Sequence, residues 1–141
     1  MKITRQLNRE YPWLFYALLI VGVIALAAFV EFETGRLLIC KCGFIDFWYG
    51  LPTGSGNSQH ISDWYTFSHV IHGFAFYWLA WLIGRRRNWP MGFRLLLAVI
   101  AEAAWEVFEN SSFIIDRYRG TTISLDYYGD SILNSTMDVV F

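Results

Sequence analysis

Apolar and polar positions along the chain fall into long blocks rather than alternating, and the blocks predict helices. Across positions 13–30 there is no charged residue in 18 places, the length a helix needs to cross a hydrocarbon layer of roughly 30 Å. A second block, 67–84, lacks Lys, Arg, Asp and Glu but carries His69 and His72 near its start and ends at Arg85, Arg86 and Arg87. Pro90 and Gly92 punctuate a short connection. A third stretch, 91–110, contains Glu102, Glu106 and Glu109. A fourth, 131–141, is too short to cross a bilayer, and we read the chain as a piece of a longer bundle. The fold class this predicts is all-α: a polytopic transmembrane helix bundle, with three full spans and the incomplete start of a fourth, in a single integral membrane domain. A cleaved signal peptide is the rival reading of the first block. Its length and its Trp13, Phe15, Tyr16 and Phe29 argue against that.

Charge orients the bundle. Lys2, Arg5, Arg9, Arg85, Arg86, Arg87 and Arg94 put seven of the 11 basic residues at one end, which makes the N terminus cytoplasmic and the opposite end periplasmic in a bacterial inner membrane. The other end takes Arg36, Lys41, Arg117 and Arg119 against Glu31, Glu33, Asp46, Asp63, Glu109, Asp116, Asp126 and Asp130. Residues 31–66 form an outward loop region with aromatics suited to an interfacial belt and turns at Gly50, Pro52, Gly54 and Gly56. Composition agrees: the chain is 55% hydrophobic and 16% charged, against roughly 25% charged in soluble domains. A net charge of −1 excludes charge-driven nucleic-acid binding and leaves the lipid bilayer as the general partner.

This topology brings three polar stripes to one depth. His69 and His72 are spaced i, i+3; Glu102, Glu106 and Glu109 at i, i+4, i+7; Asp130, Asn134 and Asp138 at i, i+4, i+8. Each spacing places its members on one helix face. Ionisable groups in a bilayer cost roughly 2.5–3.5 kcal/mol each on insertion scales, so they turn toward partners and mark function. Glu102, Glu106, His69 and His72 are the candidate catalytic groups, as acid, base or proton carriers. His69, His72 and Glu106 could instead hold a divalent metal such as zinc. Asp130, Asn134, Glu109, Asn110, Asp63 and His60 are candidates for substrate binding. A structural network fixing helix order, and a proton or ion path, remain open beside chemistry. Cys40 and Cys42 form a CxC in the outward loop: a strained, reducible disulfide, a pair of free thiols, or part of a copper or zinc site.

The segments Cys-Lys-Cys-Gly at 40–43, Asp-Trp-Tyr-Thr at 63–66, Ser-His-Val-Ile-His-Gly at 68–73, Glu-Ala-Ala-Trp-Glu at 102–106, Glu-Asn-Ser at 109–111 and Gly-Asp-Ser-Ile-Leu-Asn-Ser at 129–135 resemble an uncharacterised alphaproteobacterial inner-membrane family, a domain of unknown function. A looser similarity joins the order of His, Glu-rich helix and Asp/Asn to VanZ-like membrane proteins. The resemblance implies bacterial inner-membrane placement and assigns no residue a role. The polar site, open to the periplasmic side, reads as that of a hydrolase or transferase acting on a lipid-linked or envelope substrate. The alternative is a non-enzymatic accessory, structural or ion-transport subunit with a membrane-protein partner.

Overall fold

The computed structural model describes residues 12–121 and 127–141. Lys2, Arg5, Arg9 and Asp126, which enter the charge pattern, lie outside them. Among the described residues there are five α-helices and no strand: α1 (Pro12–Glu33), α2 (Thr66–Gly84), α3 (Met91–Glu109), α4 (Ser112–Thr121) and α5 (Ile132–Val140). One 3₁₀ turn, Arg85–Arg87, follows α2.

The ends of these helices have local causes. Proline opens α1, where its missing N–H would be unpaired anyway, and extended Pro90 precedes α3. Between α2 and α3 the chain reverses at Asn88, which takes the left-handed conformation. α5 starts at Ser131, whose hydroxyl accepts the Asn134 N–H at 3.1 Å. α4 was not foreseen from the sequence; it follows α3 directly and carries Asp116, Arg117 and Arg119 among its apolar residues.

α3 packs against both α1 and α2, and short α5 lies against all three. Gly92 lets α1 approach α3, since a Cβ there would sit 2.3 Å from the Tyr16 ring. Two helices, Pro12–Glu33 and α2 with its 3₁₀ turn, are long and apolar enough to cross a membrane. α3 has similar length but carries Arg94, Glu102, Glu106 and Glu109.

The interior is unusual. Among the described residues seven apolar side chains are buried, against fifteen polar or charged ones. Large apolar residues such as Phe74, Trp78, Leu26 and Phe29 lie outside. Apolar side chains are ordinarily the ones most often buried.

The 34–65 segment has no regular element, yet it is fixed. Leu37 and Leu38 carbonyls accept the Ile132 and Leu133 N–H groups at 2.8 and 3.1 Å, and the Ser58 carbonyl accepts that of Ser131 at 2.9 Å. The segment thus satisfies donors that the first turn of α5 would otherwise leave unpaired.

Candidate functional site

The centre of the bundle is a histidine ringed by carboxylates from two other helices. His69 of α2 presents Nδ1 at 2.8 Å from Glu102 Oε1 and 2.8 Å from Glu106 Oε1, both on α3. Its Nε2 lies 3.9 Å from Asp138 Oδ2 of α5. One ring nitrogen can direct a single proton, and the hydrogen bond goes to Glu102. Glu106, with none of its surface exposed, keeps Oε1 in the close contact with His69, while its Oε2, like Glu102 Oε2, lacks a hydrogen-bond partner. Asp138 accepts the Thr66 hydroxyl at 2.8 Å. Thr66 in turn accepts the Asp63 N–H at 3.1 Å.

His72 stands at the edge. Its side chain is about one-third exposed, and its Nδ1 lies 3.7 Å from Glu102 Oε1. Around His69, among the described residues, two donor sets have ligand atoms within 4.8 Å of one another and could hold a cation: His69, Glu106 and Asp138, all buried, and His69, His72 and Glu102. The structure therefore splits the sequence-predicted set of His69, His72 and Glu106 between two groupings that share His69.

Asp130 does not join this centre. The expected stripe ran Asp130, Asn134, Asp138 along one helix, but α5 begins at Ile132, and Asp130 precedes its cap. Asp130 instead pairs with Asn110 at the end of α3. Asn110 Oδ1 accepts the Asp130 N–H at 2.7 Å and Asn110 Nδ2 donates to Asp130 Oδ2 at 3.0 Å. Tyr127 donates its hydroxyl to Asp130 Oδ1 at 2.9 Å. Burial first, then the nearby Glu109 carboxylate, push the Asp130 carboxyl up to about 7. Glu109 is half-buried and takes a hydrogen bond from Tyr118. Gly129, at φ +91°, sets the approach to Asp130: a Cβ there would meet Arg36 Nη1 and the Ile115 side chain.

His60, Asp63 and Asn134 are buried and engaged with backbone. Asp63 accepts the Ser58 and Tyr65 N–H groups at 2.6 and 2.7 Å. His60 Nδ1 accepts the Asp46 N–H at 3.1 Å, and Asn134 Nδ2 donates to the His60 carbonyl at 2.9 Å. Asn134 thus ties the 34–65 segment to α5, while the His60 ring and Asp63 brace that segment from within.

Sequence reasoning passed over two residues as site members. Asp138 belonged to a predicted stripe but was not among the candidates; its i+4 spacing from Asn134 was the available signal. Glu31, assigned to the outward acidic set, is 1% exposed, and accepts the Ser135 hydroxyl at 2.6 Å. No local signal marks that pairing, which joins residues 104 positions apart.

Below the centre lies a cavity of about 450 Å³, lined by Ile20, Ile24, Gly73, Tyr77 and Val99 with His69, Glu102 and Asp138 at its polar end. Its size falls within the roughly 300–1,000 Å³ of small-molecule sites.

Comparison with known proteins places the chain. A family described as "Protein of unknown function (DUF2585)" matches residues 31–141. A UPF0314 protein of Sinorhizobium fredii is 52% identical over 94% of this chain and 66% of its own length. Its counterpart in Rhizobium johnstonii is 57% identical over 94% and 66%, and one in Rhizobium etli 56% over 90% and 64%. The chain belongs to this uncharacterised alphaproteobacterial family, and it spans about two thirds of the length of these relatives. No solved structure matches it.

Proposed function

We propose that this member of the DUF2585 family is a multi-pass inner-membrane protein whose His69, Glu106 and Asp138 bind a divalent cation and, with Glu102, promote hydrolysis or group transfer on a lipid-linked or envelope substrate. The observation that carries the reading is the fully buried Glu106 carboxylate, with Oε1 at 2.8 Å from His69 Nδ1 and Oε2 without any partner, within reach of Asp138. A structural network would pair that second oxygen. A cation site leaves it for the ligand.

The membrane part of the proposal rests on the inverted burial and on charge. In it α1, α2 and α3 cross the bilayer and α5 begins a further crossing. The Arg85–Arg87 turn faces the cytoplasm with the N terminus, and the 34–65 segment faces the periplasm. The four charges of α3 are compatible with crossing because Glu102 and Glu106 turn inward, Arg94 stacks over the Tyr77 ring at 5.6 Å and half-buried Glu109 is the last residue of the helix.

In this reading Glu106, Asp138 and His69 are the cation ligands. A bound dication would supply Lewis acidity toward a phosphoryl or carbonyl oxygen. Glu102, with one oxygen on His69 and the other free, takes or returns a proton at the reacting group. His72, half-exposed beside Glu102, exchanges that proton with the outside. Thr66 holds Asp138 in place. The apolar cavity accepts the hydrocarbon portion of an amphiphilic substrate while its polar end meets the headgroup. His72, Glu102 and His69 also form a continuous run from surface to centre, which favours proton transport as the second reading.

Elemental analysis of the purified protein tests the proposal. Wild type, as isolated or after loading with zinc or manganese, should hold close to one equivalent. His69→Ala, Glu106→Gln and Asp138→Asn should hold none. A folded wild-type protein that binds neither metal ends the cation-dependent reading.

A further inference from the structure

Cys40 and Cys42 are the chain's two cysteines, and they are disulfide-bonded to each other across one intervening residue. A disulfide constrains the unfolded chain more as the loop it closes grows, so this one restrains very little. The segment that carries it is already tied down by the hydrogen bonds from α5 to Leu37 and Leu38 and from Asp46 to His60. A structural staple is not needed there.

The two sulfurs are also unequal. Cys40 is buried, at 7% exposure, whereas Cys42 is exposed. The Cys42 N–H donates to Cys40 Sγ at 3.1 Å. A ring nitrogen of His60 lies within 4.8 Å of both sulfurs. Because His60 Nδ1 accepts the Asp46 N–H, the neutral ring carries its proton on Nε2. Lys41 adds a cation between the two cysteines. Each of these features favours negative charge on sulfur, and the backbone donor points to Cys40. Exposed Phe44, Ile45 and Phe47 follow directly in sequence.

We propose that Cys40–Cys42 is an exchange-active disulfide that oxidises dithiols in other polypeptides. A substrate thiolate attacks Cys42 Sγ, the exposed atom. The Cys40–Cys42 bond breaks, a mixed disulfide forms between substrate and Cys42, and the electron pair leaves on Cys40 Sγ, where the Cys42 N–H supports it. The second substrate thiolate then attacks the substrate sulfur of the mixed disulfide and releases Cys42 as a thiolate. The substrate dithiol ends oxidised by two electrons and the Cys40/Cys42 pair ends reduced. The exposed Phe44, Ile45 and Phe47 suit an apolar polypeptide segment as the partner. The inference is independent of the cation centre.

The test uses the whole purified chain, without denaturant, and a synthetic apolar peptide bearing two cysteines. Thiol alkylation read by mass spectrometry should show two protein thiols appearing as two peptide thiols disappear. Glutathione disulfide, added to single variants, reports the asymmetry: Cys40→Ser should become glutathionylated at Cys42, with Cys42→Ser reacting at Cys40 at least about tenfold more slowly. A disulfide that survives the peptide until the protein is unfolded overturns the proposal. So does equal reaction of the two variants, which also covers the case in which removing one cysteine loosens the segment.

Discussion

Replacing Glu106 by glutamine should stabilise the cation-free protein, and the geometry gives the size. Taken as ionised, Glu106 gains attraction from His69 at 2.8 Å, ~6 kcal/mol at an effective dielectric constant of about 20. It is repelled by Asp138, whose ligand atom lies within 4.8 Å, by ~3 kcal/mol on the same scale. Glu102, held on the same His69 nitrogen at 2.8 Å, repels it by about as much. Attraction and repulsion nearly cancel, which leaves the loss of hydration, several kcal/mol for a buried ion, without compensation. Glutamine removes that term and brings a buried amide with a penalty of about 1–3 kcal/mol. The expected result is a gain of roughly 1–2 kcal/mol, or a few degrees in Tm for a chain of this size. Asp63→Ala is the contrast. It removes a carboxylate that accepts two backbone N–H groups, at about 1.5–3 kcal/mol each, and should lower Tm by roughly 10 °C. Thermal melts of chelator-treated protein in one detergent make the comparison. If Glu106→Gln falls as far as Asp63→Ala, the centre is a structural network and the functional reading fails.

Three further outcomes are expected. The Asp130 carboxyl stands at about 7 in the folded protein against an ordinary 3.8, so the native state holds that proton more tightly. Stability should therefore fall as pH rises between these values, and Asp130→Asn should flatten that part of the profile measured by thermal melts. Gly73→Leu places a side chain in the cavity, where a Cβ meets nothing within 4 Å; it should leave cation binding intact and weaken binding of a fluorescent long-chain fatty acid by about tenfold or more. A periplasmic reporter fused after Arg87 should be silent and one fused after Ser55 active, and the reverse pattern would overturn the proposed orientation.

Helix positions were legible because charges and prolines punctuate the apolar blocks. The predicted 13–30, 67–84, 91–110 and 131–141 correspond to Pro12–Glu33, Thr66–Gly84, Met91–Glu109 and Ile132–Val140. The approach of His69 to Glu102 and Glu106 followed from helical spacing, since residues on one face must meet a neighbouring helix somewhere. What spacing could not reveal was how the chain leaves its helices. Asp130 looked like a helical position because it is four residues before Asn134, but the next residue, Ser131, caps the helix and leaves Asp130 outside it. His60 and Asp63 looked like site groups because buried polar residues and loop fasteners share the same residue types. Their hydrogen bonds to Asp46, Ser58 and Tyr65 depend on a backbone path that no periodicity encodes.

That backbone path matters for the centre itself. Asp138 approaches His69 only because α5 is held in place, and α5 is held at its start by the 34–65 segment through Leu37, Leu38, Ser58 and His60. A second tie runs from the other end of the same segment: Asp63 fixes Thr66 through its N–H, and Thr66 donates to Asp138. The segment therefore positions one carboxylate of the centre from two directions, while Glu102 and Glu106 depend on α3 alone. Loosening the segment should displace Asp138 and leave the His69–Glu102 hydrogen bond in place. The fastening residues His60, Asp63 and Asn134 thus act on the centre through the backbone path and Thr66.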